Sequence, residues 1–287
     1  MKIQYRIMDL EGGTAKLMWP IKRELEARGH VIDVVHERAH SLSTFEETYD
    51  LVHCWNISES TAEIGRRAKK LLVTVHHIPL QHEAMYIAKL KATKADRVHV
   101  VDPWAIRQLG RYGIYNVNLI LQAIDRKYNS EPMPEEFTIG YVGNSESGLK
   151  RFDLIEEAAR ELGIRCVGHK NPPWVSDKII EMAYKMMSCY VCASYEEGGP
   201  IPVLEALQMG RPVVTVPVGN AGLFVKPGVN GEFFEGDIDS LCEAIERVRE
   251  GLDWYSKNAA ETPLSPPAMV AQLYERLYEE VIDARQG

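Results

Sequence analysis

Short runs of apolar, β-branched residues alternate with amphipathic stretches along almost the whole chain, and the alternation breaks once and restarts. That rhythm restricts the fold more than any single residue does. In the first part, the strand-like runs are residues 2–8, 31–35, 51–55, 71–76, 97–101 and 117–122, and the helix-like stretches are 15–28, 58–70, 82–94 and 103–112. Strand, helix, strand repeated in this way predicts a parallel doubly wound sheet with right-handed crossovers. A polar, proline-bearing segment over residues 125–136 reads as a linker. The pattern then resumes with strands over 137–142, 165–168, 189–194 and 212–217 and helices over 150–162, 176–187, 202–210 and 239–251, with a turn-rich stretch up to Gly236. A last amphipathic helix over 266–285 carries Met269, Leu273, Leu277 and Ile282 near one side. We therefore expect two Rossmann-like domains, residues 1–127 and 128–265, followed by a C-terminal helix over 266–287.

Composition narrows the class. The 287 residues are 45% hydrophobic and 26% charged, ordinary for a water-facing protein with a sizeable core. No run approaches the roughly 18 consecutive apolar residues of a membrane span. The start, Met1-Lys-Ile-Gln-Tyr-Arg-Ile-Met8, alternates like a strand and lacks a signal-peptide core, which predicts a cytoplasmic protein. The five cysteines, Cys54, Cys166, Cys189, Cys192 and Cys242, sit mostly inside apolar runs and resemble buried thiols rather than a disulfide framework. Cys189 and Cys192 have the Cys-x-x-Cys spacing, but on a strand such positions face opposite sides of the sheet and do not share a metal. The net charge of −8 hides an asymmetry: residues 1–127 carry 19 Lys and Arg against 15 Asp and Glu, and the remainder carries 14 against 26. A basic first part points to an anionic partner there, such as a phosphorylated acceptor or a lipid headgroup. The basic stretches 66–70 and 89–94 permit peripheral membrane contact through this domain. Nucleic acid is disfavoured by the acidic balance and the lack of an aromatic-basic ribbon.

The chemistry concentrates in Glu196-Glu197-Gly198-Gly199-Pro200-Ile201-Pro202-Val203-Leu204-Glu205-Ala206. A buried strand, a glycine turn and a helix N-terminus leave backbone N–H groups without intrahelical partners, which suits a diphosphate. Glu197 at the strand end and Glu205 about one turn into the helix are acceptors for hydroxyls at opposite ends of one ligand. An ordinary solvated turn with a capping glutamate accounts for the segment equally well when it is taken alone. Other candidates lie at strand ends. Gly12 and Gly13 follow the first strand and can let backbone approach a phosphate, though no G-x-G-x-x-G fingerprint is present. His76 and His77 close the fourth strand, where one imidazole could donate to a leaving-group oxygen; a third ligand from His82 for a metal is disfavoured. Lys150 and Arg151 follow the loop over residues 143–149 and open a helix, where cations oppose the macrodipole unless an anion sits nearby.

In this order, these residues resemble the retaining glycosyltransferases of family four, whose fold is GT-B, two Rossmann-like domains facing a central cleft. The likeness covers nearly the whole chain and is strongest from about Tyr141 to Ile245. Glu197 and Glu205, with seven residues between them, match the family signature E-G-x-G-x-P-x-x-E-A, followed by Ala206, Gly210, Pro212, Gly219, Gly228, Asn230, Gly231 and Asp237. Lys150 matches its phosphate-binding lysine and Thr74-Val75-His76 its T-x-H element. Gly12-Gly13 match the N-terminal glycine loop, and Gln122-Ala-Ile-Asp125 stands where an Asn-Gly-x-Asp motif usually closes the first domain. The resemblance implies transfer of a sugar from a nucleotide-diphosphate sugar to an acceptor hydroxyl by front-face attack, with no covalent enzyme intermediate, no cofactor and no essential metal. Catalysis would rest on His76, Lys150 and Glu197. The donor would be held by Gly12, Gly13, Asn144, Lys150, Arg151, Glu197, Gly198, Gly199, Ile201 and Glu205. On family frequency the donor would be a UDP-sugar, and the acceptor a glycan, lipid or small molecule.

There are departures. Asn144 stands where the family usually has arginine, Pro200 replaces a glycine and removes an N–H from the turn, and only about fifteen residues separate the second and third strands. One alternative is a GT-B epimerase acting on the sugar nucleotide itself; Asn144 and the reduced first domain motivate another, a nucleotide-sugar-binding protein without turnover.

Overall fold

A computed structural model of the chain describes residues 1–10, 13–37, 48–125, 132–143, 148–170 and 177–284. It divides into two compact units, Met1–Asp125 with Ser265–Gly287, and Arg126–Leu264. Both are parallel α/β sheets, as the alternation predicts.

In unit 1 the strands are β1 (Lys2–Ile7), β2 (Val31–His36), β3 (Leu51–Cys54), β4 (Leu71–Val75), β5 (Arg97–Val100) and β6 (Val117–Leu119), paired in the order β2-β1-β3-β4-β5-β6. They are linked by α1 (Gly13–Ala27), α2 (Thr61–Arg67), α3 (Glu83–Ala92) and α4 (Pro103–Arg111). Every residue of β3 and β4 is buried, as expected of central parallel strands covered on both faces. One face packs Ile64, Ile87, Leu90, Ala105 and Leu109 from α2, α3 and α4. The other packs Met18, Ile21 and Leu25 of α1 with Val270, Tyr274, Leu277, Tyr278 and Val281. These last five belong to the C-terminal helix α11 (Pro267–Asp283), which thus completes the core of the first unit although it follows the second in sequence. Fully burying each such side chain contributes about 1.5–3 kcal/mol.

Unit 2 orders β11 (Gly231–Phe233), β10 (Val213–Thr215), β9 (Cys189–Cys192), β7 (Thr138–Gly143) and β8 (Arg165–Lys170) side by side. Its helices are α5 (Phe152–Glu161), α6 (Asp177–Lys185), α7 (Ile201–Gln208), α8 (Ala221–Phe224), α9 (Ile238–Glu250) and α10 (Leu252–Ala260). In this order the direction of winding reverses between β7 and β9. In open α/β sheets, ligands bind outside the carboxyl ends of the strands at such a switch point.

Three expectations need correction. The stretch read as turns up to Gly236 contains α8 and β11, and α10 was not anticipated at all. The helix expected from Lys150 starts at Phe152: Lys150 ends a short 3₁₀ turn, and Arg151 adopts a left-handed backbone, φ 48° and ψ 48°. The strand expected over 189–194 stops at Cys192, leaving Ala193 and Ser194 to the loop.

Candidate functional site

The switch point of unit 2 assembles a charged cluster from the loops after β7 and β9. Lys150 Nζ donates to Glu197 Oε1, and the Ser194 hydroxyl donates to the same carboxylate at 2.8 Å. The two charged side chains keep 29% and 14% of their surface, so both stay within reach of a ligand. After Glu197, Gly198 and Gly199 lead to Pro200, which stands before α7 with φ −70° and ψ 95° and gives the helix no side-chain cap. The α5 N-terminus likewise has no side-chain cap. Two helices elsewhere are capped, the Asp102 carboxylate taking the Ala105 N–H ahead of α4 and Asp237 the Ser240 N–H ahead of α9, whereas α2, α3, α8, α10 and α11 also start without a side-chain cap. Two helix N-termini bringing partial positive charge to one strand switch form an environment suited to an anion.

The turn is pinned from behind. Gly198 O accepts the Asn220 N–H at 2.8 Å, and Gly219 packs so closely that a Cβ there would lie 2.1 Å from Gly198 O and 2.6 Å from Glu197 O. With φ +53°, Gly219 therefore has no substitute of ordinary stereochemistry. Glu205 lies on α7, held by the Tyr184 hydroxyl, which donates to Oε2 at 2.8 Å. Ile201, the first residue of α7, is half-buried beside them.

Arg151 has a different task from the one expected. Its Nε donates to Ala193 O and its Nη1 to Gly236 O, both at 2.5 Å, and its guanidinium stacks 4.2 Å from the Tyr195 ring centroid. It is buried and braces the loop after β9 rather than opening a helix toward an anion. The left-handed backbone costs roughly 1–2 kcal/mol, held in place by these contacts. Asn144 and Gly12 lie outside the described residues; Gly13 is the exposed first residue of α1.

In unit 1, His76 follows β4 at its carboxyl end. Its Nε2 lies 2.8 Å from Trp55 O, and its ring lies 6.5 Å from the Trp55 ring, nearly parallel to it. A carbonyl only accepts, so Nε2 carries the proton and Nδ1 is left as an acceptor. Burial pushes His76 down to about 4, so the ring is neutral near pH 7. Donation of a ring proton to a leaving group, expected from the sequence, is therefore not available in this arrangement. Among the described residues, no group of three or more His, Cys, Asp or Glu could hold a metal, and no helix is long and apolar enough to cross a membrane. Cys189 and Cys192 are buried free thiols; burial raises both above the ordinary thiol range.

Ser194, Tyr184 and Trp55 were not singled out in sequence. Ser194 sits three residues before Glu197 and was visible as the end of the apolar run, whereas Tyr184 reaches Glu205 from α6 by tertiary packing alone.

Two parallel α/β units of this kind, with a charged glycine turn at the switch of the second, define a GT-B glycosyltransferase fold. Residues 106–250 match the family described as Glycosyl transferases group 1, which is half of the chain, and the protein belongs to that family. It is 31% identical over 116 residues to a D-inositol 3-phosphate glycosyltransferase of Rhodococcus erythropolis, covering 38% of this chain and 26% of that protein. It is 27% identical over 133 residues to the lipopolysaccharide 1,6-galactosyltransferase of Salmonella typhimurium, covering 44% and 34%. The matches thus span about a third or less of these curated relatives. Among solved structures, the sucrose-phosphate synthase of Thermosynechococcus elongatus superposes with a TM-score of 0.79 at 18% identity, covering 99% of this chain and 100% of that one. Anabaena HepE in complex with UDP-glucose gives 0.76 at 16%, covering 98% and 100%.

Proposed function

We propose that the protein transfers a sugar from a nucleotide-diphosphate sugar to an acceptor hydroxyl with retention of anomeric configuration. The observation that carries this reading is the Lys150–Glu197 pair at the β7/β9 switch, backed by Ser194 and followed by a helix with no capping side chain. A donor diphosphate entering there competes with Glu197 for the Lys150 ammonium. The carboxylate so released accepts from a hydroxyl of the donor sugar, while the Gly198 and Ile201 N–H groups turn to the phosphates; Pro200 and Pro202 have no N–H, and that of Val203 is taken by Pro200 O. Glu205, oriented by Tyr184, accepts from the ribose hydroxyls.

As the glycosidic bond lengthens, negative charge builds on the leaving diphosphate. Lys150 and the turn amides meet that charge without reorganising, and such electrostatic preorganisation is where most of the acceleration arises. Arg151 braces the loop that carries Glu197. Neutral His76, with Nδ1 unprotonated, offers an acceptor and no proton, and no step is drawn through it. No cofactor or metal is assigned a step. UDP is the nucleotide of choice, supported by the UDP and UDP-glucose held by HepE.

Thermal shift against UDP, GDP and ADP tests the first half of this reading, since a ligand at a hundred times its Kd adds about 2.7 kcal/mol. A shift with UDP alone, followed by an acceptor product whose anomeric coupling in proton NMR matches that of the donor, is the expected result. Inverted product, or isomerised donor without transfer, overturns it.

A further inference from the structure

Beneath α11, unit 1 buries a row of polar side chains that the transfer reaction does not use. Across the sheet, Tyr5 of β1 is in register with His53 of β3, and Thr74 of β4 with His99 of β5, so the four lie on successive strands. Hydrogen bonds join them in one line. Tyr5 OH meets Tyr278 OH of α11 at 2.8 Å, and Tyr278 OH meets His53 Nδ1 at 2.9 Å. His53 Nε2 meets Thr74 Oγ1 at 2.7 Å, Thr74 Oγ1 meets His99 Nδ1 at 2.9 Å, and His99 Nε2 meets Ile120 O at 3.0 Å. Tyr5, His53, Thr74, His99 and Tyr278 are all essentially without exposed surface. The Tyr274 hydroxyl of α11 lies 3.3 Å from both His99 nitrogens.

The terminal carbonyl sets every proton in the line. Ile120 O only accepts, so His99 carries its proton on Nε2 and, being neutral, accepts at Nδ1 from Thr74. Thr74 then accepts from His53 Nε2–H, His53 Nδ1 accepts from Tyr278, and Tyr278 accepts from Tyr5. Each donor has one acceptor and the direction never reverses. A second proton on either imidazole would face the hydroxyl that donates to it, and would place a charge inside the core.

We propose that this line is an acid-sensitive clasp that holds the C-terminal helix α11 on the sheet of unit 1. It closes only while His53 and His99 are neutral. The titratable groups that face them are Tyr5 of β1, His76 of β4, and Tyr274 and Tyr278 of α11; the Glu26 carboxylate of α1 acts on Tyr5. Burial first, then the neighbouring imidazoles, push His53 well below its ordinary value, and burial holds His99 down to about 3. With α11 lifted, both rings meet water and titrate near 6.5. The docked form therefore binds fewer protons than the open one, and its advantage falls as pH drops below about 6.5. The open population rises about tenfold per pH unit for each histidine released.

Hydrogen exchange of the full chain, corrected for the intrinsic pH dependence of exchange, measures this directly. Between about pH 7 and about pH 5, protection of α11 amides should fall by at least about a hundredfold, while α9 in unit 2 keeps its protection. In the double variant His53→Gln/His99→Gln each carboxamide supplies an N–H donor and an oxygen acceptor without a titrating proton, so α11 protection should become independent of pH. Equal loss from α11 and α9 in the wild type, or a double variant that loses α11 as the wild type does, overturns the clasp. Should that variant fail to fold, nitrogen-15 NMR of the wild-type histidines decides: both rings neutral with the proton on Nε2 is the expected result, and a charged ring or an Nδ1 proton refutes it.

Discussion

The two units share a sheet order that reverses at one point, yet they place polarity in opposite places. Unit 2 has a charged pair, Lys150 and Glu197, at the open carboxyl ends of β7 and β9, where each keeps some solvent. In unit 1 the polar line from Tyr5 to His99 lies on the sheet under α11, linked so that none of its members is charged; the buried Arg6–Glu37 ion pair lies elsewhere in that unit. The difference follows from what each arrangement costs. A charge at a strand end is partly hydrated and can exchange its partner for a ligand, so it remains usable. A polar group in the core is tolerated only when every donor and acceptor is met, so it fixes geometry instead of offering it. On the proposed reading, unit 2 offers its charged pair to a ligand and unit 1 uses its polar line to hold a helix that follows unit 2 in sequence.

The contrast breaks most visibly at the charged pair. Glu197→Ala and Lys150→Ala should each lower turnover at least about a hundredfold, as removing one preorganised electrostatic group typically does. Melting temperatures should stay near that of the wild type, because the pair is partly exposed and caps no core. Near-normal turnover in both variants would refute the site. The buried line responds in the reverse sense. Thr74→Val keeps the shape but leaves the His53 Nε2–H without an acceptor and leaves His99 Nδ1 only the longer contact to the Tyr274 hydroxyl, an expected loss of about 2 kcal/mol in the stability of unit 1. Calorimetry of the variant should show the unit 1 transition lowered and the unit 2 transition unmoved; a change below about 0.5 kcal/mol would mean the line holds little.

Sequence pattern reached the sheets far better than it reached these polar clusters. Central parallel strands such as β3 and β4 are buried on both faces and read as unbroken apolar runs, which is why their positions came within a residue or two. Helix α10 stayed hidden because Asp253, Ser256, Lys257 and Asn258 give it little apolar periodicity. It is held instead by tertiary bonds from Trp254 to Gly228 O, Tyr255 to Glu232 and Ser256 to Gly210 O. The Glu197-to-Glu205 turn was legible because its residues are contiguous. The bracing role of Arg151 has no local signal because the carbonyls it holds, Ala193 and Gly236, lie 42 and 85 residues away in sequence. The clasp was invisible for the same reason: His53, Thr74 and His99 meet only through strand register, across separations of 21 and 25 residues.

The smallest effect, and the one that sharpens the comparison most, concerns Tyr184. It borders both kinds of environment: its ring is buried in the unit 2 core, while its hydroxyl donates to Glu205 at the edge of the site. Tyr184→Phe keeps the ring and removes that single donor. If Glu205 accepts from the donor ribose, its carboxylate loses one of the bonds that orient it for binding, an expected cost of about 1 kcal/mol. That corresponds to a rise in donor KM of about fivefold with kcat nearly unchanged, because ribose contacts are made equally in the ground and transition states. A fall in kcat at constant KM would place Glu205 among the groups that act on the reacting bond, and would transfer to it the role assigned to Glu197. Unchanged kinetics would show that the hydroxyl serves only the packing of α6 against α7. The three outcomes separate a carboxylate that binds from one that reacts and from one that merely supports the helix.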